Sequence, residues 1–397
     1  MAEGRTTSGG VASGTLLRGS FPAFVCLQGT LYAAYGIESP FLPSFFGERG
    51  LTPGEIGLVL AAGTLARLVA GPVAGHVADR YDATRLVLGI AAAAAGVISF
   101  GYLAGTGFWT LLAVSMVHAT AIAALAPLAD ALTLRAAERE GSFSYGWVRG
   151  AGSAAFVAGT LAAGQLVGAM GLASVIVASG IMFLAMAAAS VGVPAVPARR
   201  EASVSGLTGM RTLLAQPLFR RLLSVAALVI GSHALNDGFA VILWREAGIG
   251  PGTISLLWSA SVASEVVVFV LVGPWLLSRL SPVQAALLAA SLGILRWTVM
   301  ATTTAVPVLA VSQLTHGLTF ALLHLANMHL ITETVPPQLA ATAQTLYGTF
   351  GLGVASAVLT GTAGLLYGWL GAGAFWVMAA LCCLALPLAP GLRPGAE

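Results

Sequence analysis

The chain has 397 residues, of which 57% are apolar and 8% charged, with a mean hydropathy of +0.90, whereas an ordinary soluble domain carries about 25% charge. These figures exclude a soluble globular protein and a disordered chain, and a formal net charge of +3 spread along the sequence excludes a nucleic-acid binder. What remains is an integral membrane protein, with room for about ten to twelve helical spans of some 20 residues each.

Residues 1–19 are polar and rich in Gly, Ser and Thr, and are expected to form a short cytoplasmic tail. The apolar run behind them is longer than the core of a signal peptide, so the first helix is expected to be uncleaved. Apolar runs punctuated by Pro, Gly and charge place six spans at 20–46, 55–78, 84–104, 108–136, 142–169 and 171–193. The stretch 194–217 breaks the pattern with Pro194, Pro197, Arg199, Arg200, Glu201 and Arg211 and reads as a hydrophilic cytoplasmic linker. Six more spans follow at 218–246, 253–279, 282–301, 305–332, 339–368 and 370–389, with 390–397 as a second cytoplasmic tail. The expected fold is an all-α polytopic membrane protein of twelve transmembrane helices in two six-helix halves, 20–193 and 218–389. Cys26, Cys382 and Cys383 all lie in apolar stretches and read as packing residues.

Orientation comes from arginine, since the chain has no lysine. With the N-terminus inside, thirteen arginines face the cytoplasm and only Arg49 and Arg245 face outward, while Arg67, Arg149 and Arg296 fall within spans. That split satisfies the positive-inside rule with both termini cytoplasmic. The halves also look like copies. A shift of 198 residues lays Gly50-Leu51-x-Pro53-Gly54-x-Ile56-x-Leu58 on Gly248-Ile249-x-Pro251-Gly252-x-Ile254-x-Leu256, and a shift of 200 lays Gly164, Gly168 and Gly171 on Gly364, Gly368 and Gly371. Both matches argue for a duplicated six-helix unit.

The loop after the second span reads Gly75-His76-Val77-Ala78-Asp79-Arg80-Tyr81-Asp82-Ala83-Thr84-Arg85. It resembles the G-x-x-x-D-R-x-G-R-[KR] loop of the major facilitator superfamily, with Asp82 and Ala83 where Gly and Arg are usual. The resemblance implies that Gly75, Asp79 and Arg80 mark the cytoplasmic loop between helices two and three. Within that superfamily the chain is most similar to the phenylpropionate permease group. The likeness is carried by Pro127-Leu128-Ala129-Asp130-Ala131-Leu132, Tyr145-Gly146-Trp147-Val148-Arg149, Leu295-Arg296-Trp297, and His316-Gly317-Leu318-Thr319-Phe320 with His324-Leu325-Ala326. Trp147 stands where that group often has a second Arg, and Glu38 where a small neutral residue is more usual. A weaker likeness to the lactose permease runs through Asp130, Arg149, Arg296 and His316, but Thr319 occupies the position of its coupling carboxylate.

A charge near the bilayer centre costs about 2.5–3.5 kcal/mol or more, so each one requires a partner or a purpose. Glu38, Arg67, Asp130, Arg149, Asp237, Glu265 and Arg296 lie within spans, with His233, His316, His324 and His329 adding imidazoles. Equal depth suggests an Asp130–Arg149 ion pair, serving either to staple two helices or to gate and bind. The 198-residue shift sets Glu265 opposite Arg67, which suggests a salt bridge between the halves unless each finds a partner in its own. Asp237 and His233 share a helix face beside Asn236, and Glu265 and His316 are expected close by. Glu265 and Asp237 are the expected proton carriers, tuned by His316. Gly71-x-x-x-Gly75, Gly164-x-x-x-Gly168 and Gly364-x-x-x-Gly368 read as close-packing faces.

No nucleotide loop, metal-ligand pattern or nucleophile elbow occurs, so no cofactor, no metal and no enzyme activity is expected. The leading expectation is a proton-coupled secondary transporter of a small organic solute, working by alternating access in a bacterial inner membrane, as a monomer. Buried arginines favour an aromatic or short carboxylate as cargo, held by Arg149 and Arg296. Trp147, Trp297, Tyr347, Tyr145 and Phe320 would form its wall, while Glu265, Asp237, His316, Asp130, Glu38 and Arg67 would couple or gate. Proton-coupled efflux of drugs or metabolites, sugar or nucleoside symport, and a membrane receptor or scaffold remain as alternatives.

Overall fold

The computed structural model describes residues 20–194, 196 and 207–393. The expected tails at 1–19 and 394–397, with Arg5 and Arg18, and the linker residues Pro197, Arg199, Arg200 and Glu201 lie outside the described residues. The first half consists of α1 (Ser20–Glu38, extended by the short helix Leu42–Glu48), α2 (Pro53–Arg80), α3 (Thr84–Ala104), α4 (Phe108–Glu140), α5 (Tyr145–Met170) and α6 (Ala173–Val191). A linker helix, Leu207–Ala215, precedes the second half. That half holds α7 (Pro217–Glu246), α8 (Pro251–Leu277), α9 (Pro282–Thr302), α10 (Val306–Leu314 and His316–Thr334), α11 (Ala340–Leu346, continued through Ala355–Leu370) and α12 (Ala374–Ala385). Length and composition alone qualify nine described stretches as membrane-crossing, or ten if the bent α10 is one span. The expected twelve also takes Pro337–Ala385 as two rods broken at Gly371 and includes the less apolar α1, which carries Gln28 and Glu38.

Helix ends follow local chemistry. α2 and α9 each begin with Pro at the first helical position and a reciprocal capping box, Thr52 with Glu55 and Ser281 with Gln284. Ser144 caps α5 by accepting from the Gly146 amide. The duplication read from the sequence reappears in backbone conformation. Gly50 and Gly248 both take positive φ, 86° and 80°, just before the prolines that open α2 and α8, and Gly171 and Gly371 do so at the ends of α5 and α11.

Each half is a bundle in which α1 packs on α5 and α6, α3 on α6 and α2 on α4, or, in the second half, α7 on α11, α8 on α10 and α9 on α12. The halves meet along α2 with α11 and α5 with α8. Gly57 faces Gly364 beside Pro53, while Gly164 faces Ser255 beside Pro251, so the two crossings are one contact repeated by the duplication. A methyl at Gly57, Gly164 or Gly364 would run into the facing helix. Gly168 and Gly368 also lie against the partner helix's proline, as small-residue faces should. Gly75 does not: a methyl there would meet nothing within 4 Å, so the expected close-packing face Gly71–Gly75 is corrected at Gly75, which sits at the open end of α2.

The core shows which end of the bundle is sealed. One continuous apolar cluster joins the far end of the first half, through Phe41, Phe45, Leu51, Val59 and Val167, to the second half. The end of the first half nearest the described N-terminus has its own cluster, with Phe24, Leu31, Leu88 and Leu132. The halves therefore fuse at the end opposite the termini and separate at the other. Arg245 Nη2 donates to Glu48 Oε1 at 3.0 Å across the sealed end.

Candidate functional site

Among the described residues three cavities lie between the halves; one, beside Glu48 and Arg245, belongs to the sealed end, and the other two hold the charges within the spans. The larger, about 560 Å³, is walled by Tyr32 of α1, Tyr145, Arg149 and Phe156 of α5, and Glu265 and Phe269 of α8. The smaller, about 200 Å³, is lined by Glu38, Arg67, Tyr102, His118 and Asp237, and draws on α1, α2, α3, α4, α7 and α11. Both are places where strongly polar groups meet space that a solute can enter.

In the larger cavity the Arg149 guanidinium lies 4.2 Å from the centre of the Tyr32 ring and donates to Ser153 Oγ at 3.0 Å. Among the described residues no carboxylate lies within 4 Å of it, which corrects the expected Asp130–Arg149 pair. Asp130 instead accepts from Gln28 Nε2 at 2.9 Å. Tyr32 and Tyr145 lie within electrostatic reach of both charges, and Tyr145 is hydrogen-bonded to Asp130. Facing Arg149, Glu265 lies 3.4 Å from His316 Nε2. The expected bridge from Glu265 to Arg67 is also corrected: Arg67 donates to Thr64 Oγ1 at 3.0 Å and stays beside Glu38 in its own half.

Behind Glu265 runs a fixed chain of hydrogen bonds. Arg296, 1% exposed, donates through Nη1 to His316 Nδ1 at 2.5 Å and through Nη2 to Gln313 Oε1 at 2.7 Å. A guanidinium has no acceptor, so His316 Nδ1 must offer its lone pair and the neutral ring carries its hydrogen on Nε2, facing Glu265. While the Arg296 bond lasts, the Nδ1 lone pair of His316 is not free to take a second proton. α10 breaks by 42° at Thr315, which brings His316 to this point. α8 passes into a widened π-type turn, Val268–Val272, soon after Glu265.

The remaining expected residues fall elsewhere. Trp147 is 76% exposed and is absent from the lining of either cavity. Trp297 is buried in the second half, donating to Ser232 Oγ at 2.8 Å and packing on Phe375 and His233. Tyr347 is buried against His324, and Phe320 stacks on His316. Of the expected aromatic wall only Tyr145 lines the larger cavity, where Tyr32, Phe156 and Phe269 join it. Arg296 is a buried scaffold for His316 and lines neither cavity. Asp237 faces the smaller cavity with Asn236 donating to it at 3.2 Å, whereas its expected neighbour His233 turns away to Thr319. At the open end, Arg135 Nη2 lies 3.5 Å from Asp79 Oδ1, and Arg80 reaches toward the Tyr81 ring. Asp82, where the superfamily loop usually has Gly, takes a positive φ of 49°, the backbone conformation that Gly would adopt without strain. His118 was not among the expected residues. The signal was available, because the 198-residue shift lays His118 on His316.

Comparison with known proteins decides the family. The family model described as MFS_1 like matches residues 30–378. The chain belongs to that family. A curated relative of Escherichia coli strain K12, named "Probable 3-phenylpropionic acid transporter", is 34% identical over 374 residues, covering 92% of this chain and 96% of the relative. The maltose permease of Geobacillus stearothermophilus is 27% identical over 368 residues, with 92% and 91% covered. Among solved structures, that of the nucleoside transporter NupG in a mutant form shares the fold with a TM-score of 0.86 at 16% identity, covering 94% of this chain and all of that one. As a member of the family the protein is a multi-pass membrane transporter of small solutes with the major facilitator fold, and not an enzyme.

Proposed function

We propose that this transporter carries a small organic carboxylate, with an aromatic or short chain, in symport with protons across a bacterial inner membrane, acting as a monomer. The observation that carries the reading is Arg149: a guanidinium in an aromatic-walled cavity with Ser153 as its side-chain acceptor and no carboxylate within 4 Å. A carboxylate cargo would complete its fork of donors, and Tyr32, Tyr145, Phe156 and Phe269 would cover an apolar tail. The printed name of the 34% relative points to the same class. Glu265, across the cavity, is the proposed proton carrier, since the Arg296 bond prevents His316 from taking one. With thirteen arginines placed in the cytoplasm, the open end faces inward and the halves 20–193 and 218–389 rock about the sealed end.

The test is uptake of 3-phenylpropionate into proteoliposomes with and without an imposed pH gradient, inside alkaline. Accumulation that follows the gradient and is lost in Arg149→Ala is the expected result. Gradient-independent equilibration, or no uptake of 3-phenylpropionate and a panel of short carboxylates, would overturn the reading.

A further inference from the structure

The duplication that repeats glycines and prolines also repeats a histidine. His118 of α4 and His316 of α10 are related by the same 198-residue shift, and each stands within 4 Å of a membrane-embedded glutamate, Glu38 or Glu265. The two pairs differ in their surroundings. Glu265 is partly exposed to the larger cavity and shares it with Arg149, and its histidine is held by Arg296. Glu38 is 7% exposed, and its Oε2 is buried without a hydrogen-bond partner. Its Oε1 lies 3.7 Å from His118 Nδ1, while His118 Nε2 meets Ser99 Oγ at 3.1 Å. Other groups around it are Tyr35 of α1, Tyr102 of α3, Ser179 of α6, and Arg67 and Asp237 across the smaller cavity. None of these puts a cation within 4 Å of the Glu38 carboxylate; Arg67 is turned to Thr64.

An ionised carboxylate buried beside a neutral imidazole is a bare charge in the membrane, which costs at least about 2.5 kcal/mol. One proton removes the difficulty, either on Glu38 or on His118 as an ion pair. We infer that Glu38 and His118 form a second proton-binding site in the first half, occupied in the conformation described, and related by the duplication to the His316–Glu265 site. Glu38 and His118 line the smaller cavity together with Arg67 and Asp237, so this proton lies at its wall. The ligand is a proton, and the pair titrates as a unit, whichever atom carries it. The further consequence rests on the symport reading above: a carrier with one such site per half moves two protons per cycle, and accumulation of a monovalent anion becomes electrogenic.

Proton occupancy can be read without any substrate, so it stands or falls separately from that reading. Infrared difference spectra of the purified, lipid-reconstituted protein are recorded across a pH series for wild type, Glu38→Gln, His118→Gln, Glu265→Gln and His316→Gln. The expected result is a protonated-carboxyl or imidazolium component that disappears in Glu38→Gln and persists in Glu265→Gln. Its midpoint should move by about one pH unit or more in His118→Gln and stay in place in His316→Gln. Should Glu38→Gln fail to fold, carboxyl-¹³C-glutamate in His118→Gln and in wild type identifies the carboxyl component by its isotope shift, and its midpoint should differ between the two. Spectra of Glu38→Gln that match wild type at every pH, or a component indifferent to His118→Gln, would overturn the proposal.

Discussion

Arg149 and Arg296 are chemically the same residue in opposite situations, and the difference is where their donors point. Arg149 keeps most of its fork for the cavity, whereas both terminal nitrogens of Arg296 are committed to His316 and Gln313 inside the protein. Lysine keeps the charge but not the fork. Arg149→Lys is therefore expected to leave thermal stability near wild type and to weaken carboxylate binding tenfold or more, about 1.4 kcal/mol, measured by uptake kinetics. Arg296→Lys is expected to lower stability by about 1–3 kcal/mol, because it strands buried acceptors, and a melting curve in detergent compared with Arg149→Lys checks this. Equal melting temperatures for the two variants would contradict the assignment. At Glu265, replacement by Gln mimics the protonated acid. Exchange of substrate between two pools should survive in Glu265→Gln while accumulation against a gradient disappears.

At the scale of the element, α2 with α11 and α5 with α8 approach so closely that glycine is required where they cross. Gly57 and Gly364 leave no room for a methyl, and neither does Gly164 against Pro251 and Ser255. Valine at these positions adds three carbons to a contact between backbones, which forces the helices apart. Gly364→Val and its twin Gly164→Val should therefore open the sealed end. In a background with Cys26, Cys382 and Cys383 replaced, a hydrophilic maleimide should label Ser356→Cys, which lines the smaller cavity, faster from the sealed side in Gly364→Val than without it. Unchanged labelling would show that the crossing does not govern access. Of the four crossing helices, α8 and α11 also carry π-type turns, at Val268–Val272 and Tyr347–Val354, whereas α2 and α5 run unbroken.

For the whole molecule, the sealed end adds to its apolar cluster and glycine crossings one ion pair between the halves among the described residues. Arg245 and Glu48 join the halves at the sealed end with one-third and one-half of their side chains exposed. Such a pair contributes only about 0.2–1 kcal/mol, and salt screens it. That scale suits a gate, since a stronger bond would hold one state. Glu48→Arg should shift the population toward opening at that end, Glu48→Arg with Arg245→Glu should return it, and raising the ionic strength should shrink the difference. Spin-label distances across the sealed end would report all three.

The sequence by itself determined the class and the architecture. Hydropathy, the paired Pro and Gly signals at offsets of 198 and 200, and the loop at Gly75, Asp79 and Arg80 sufficed for a duplicated helical transporter, because these depend on local chemistry and on chain order. It also marked which residues were costly in a membrane. It did not determine which of those residues meet. Depth along a helix placed Asp130 level with Arg149, and the 198-residue shift set Arg67 opposite Glu265, but neither fixes the direction a side chain takes around its helix, and each found a different neighbour. The fates of Trp147 and Trp297 were likewise decided by helix rotation and packing, which put one on the outer surface and the other in the core. His118 lies between these cases. Its position was legible through the duplication, whereas the buried Glu38 beside it, with Oε2 left without a hydrogen bond, required α1, α2, α3, α4 and α6 to close around one point.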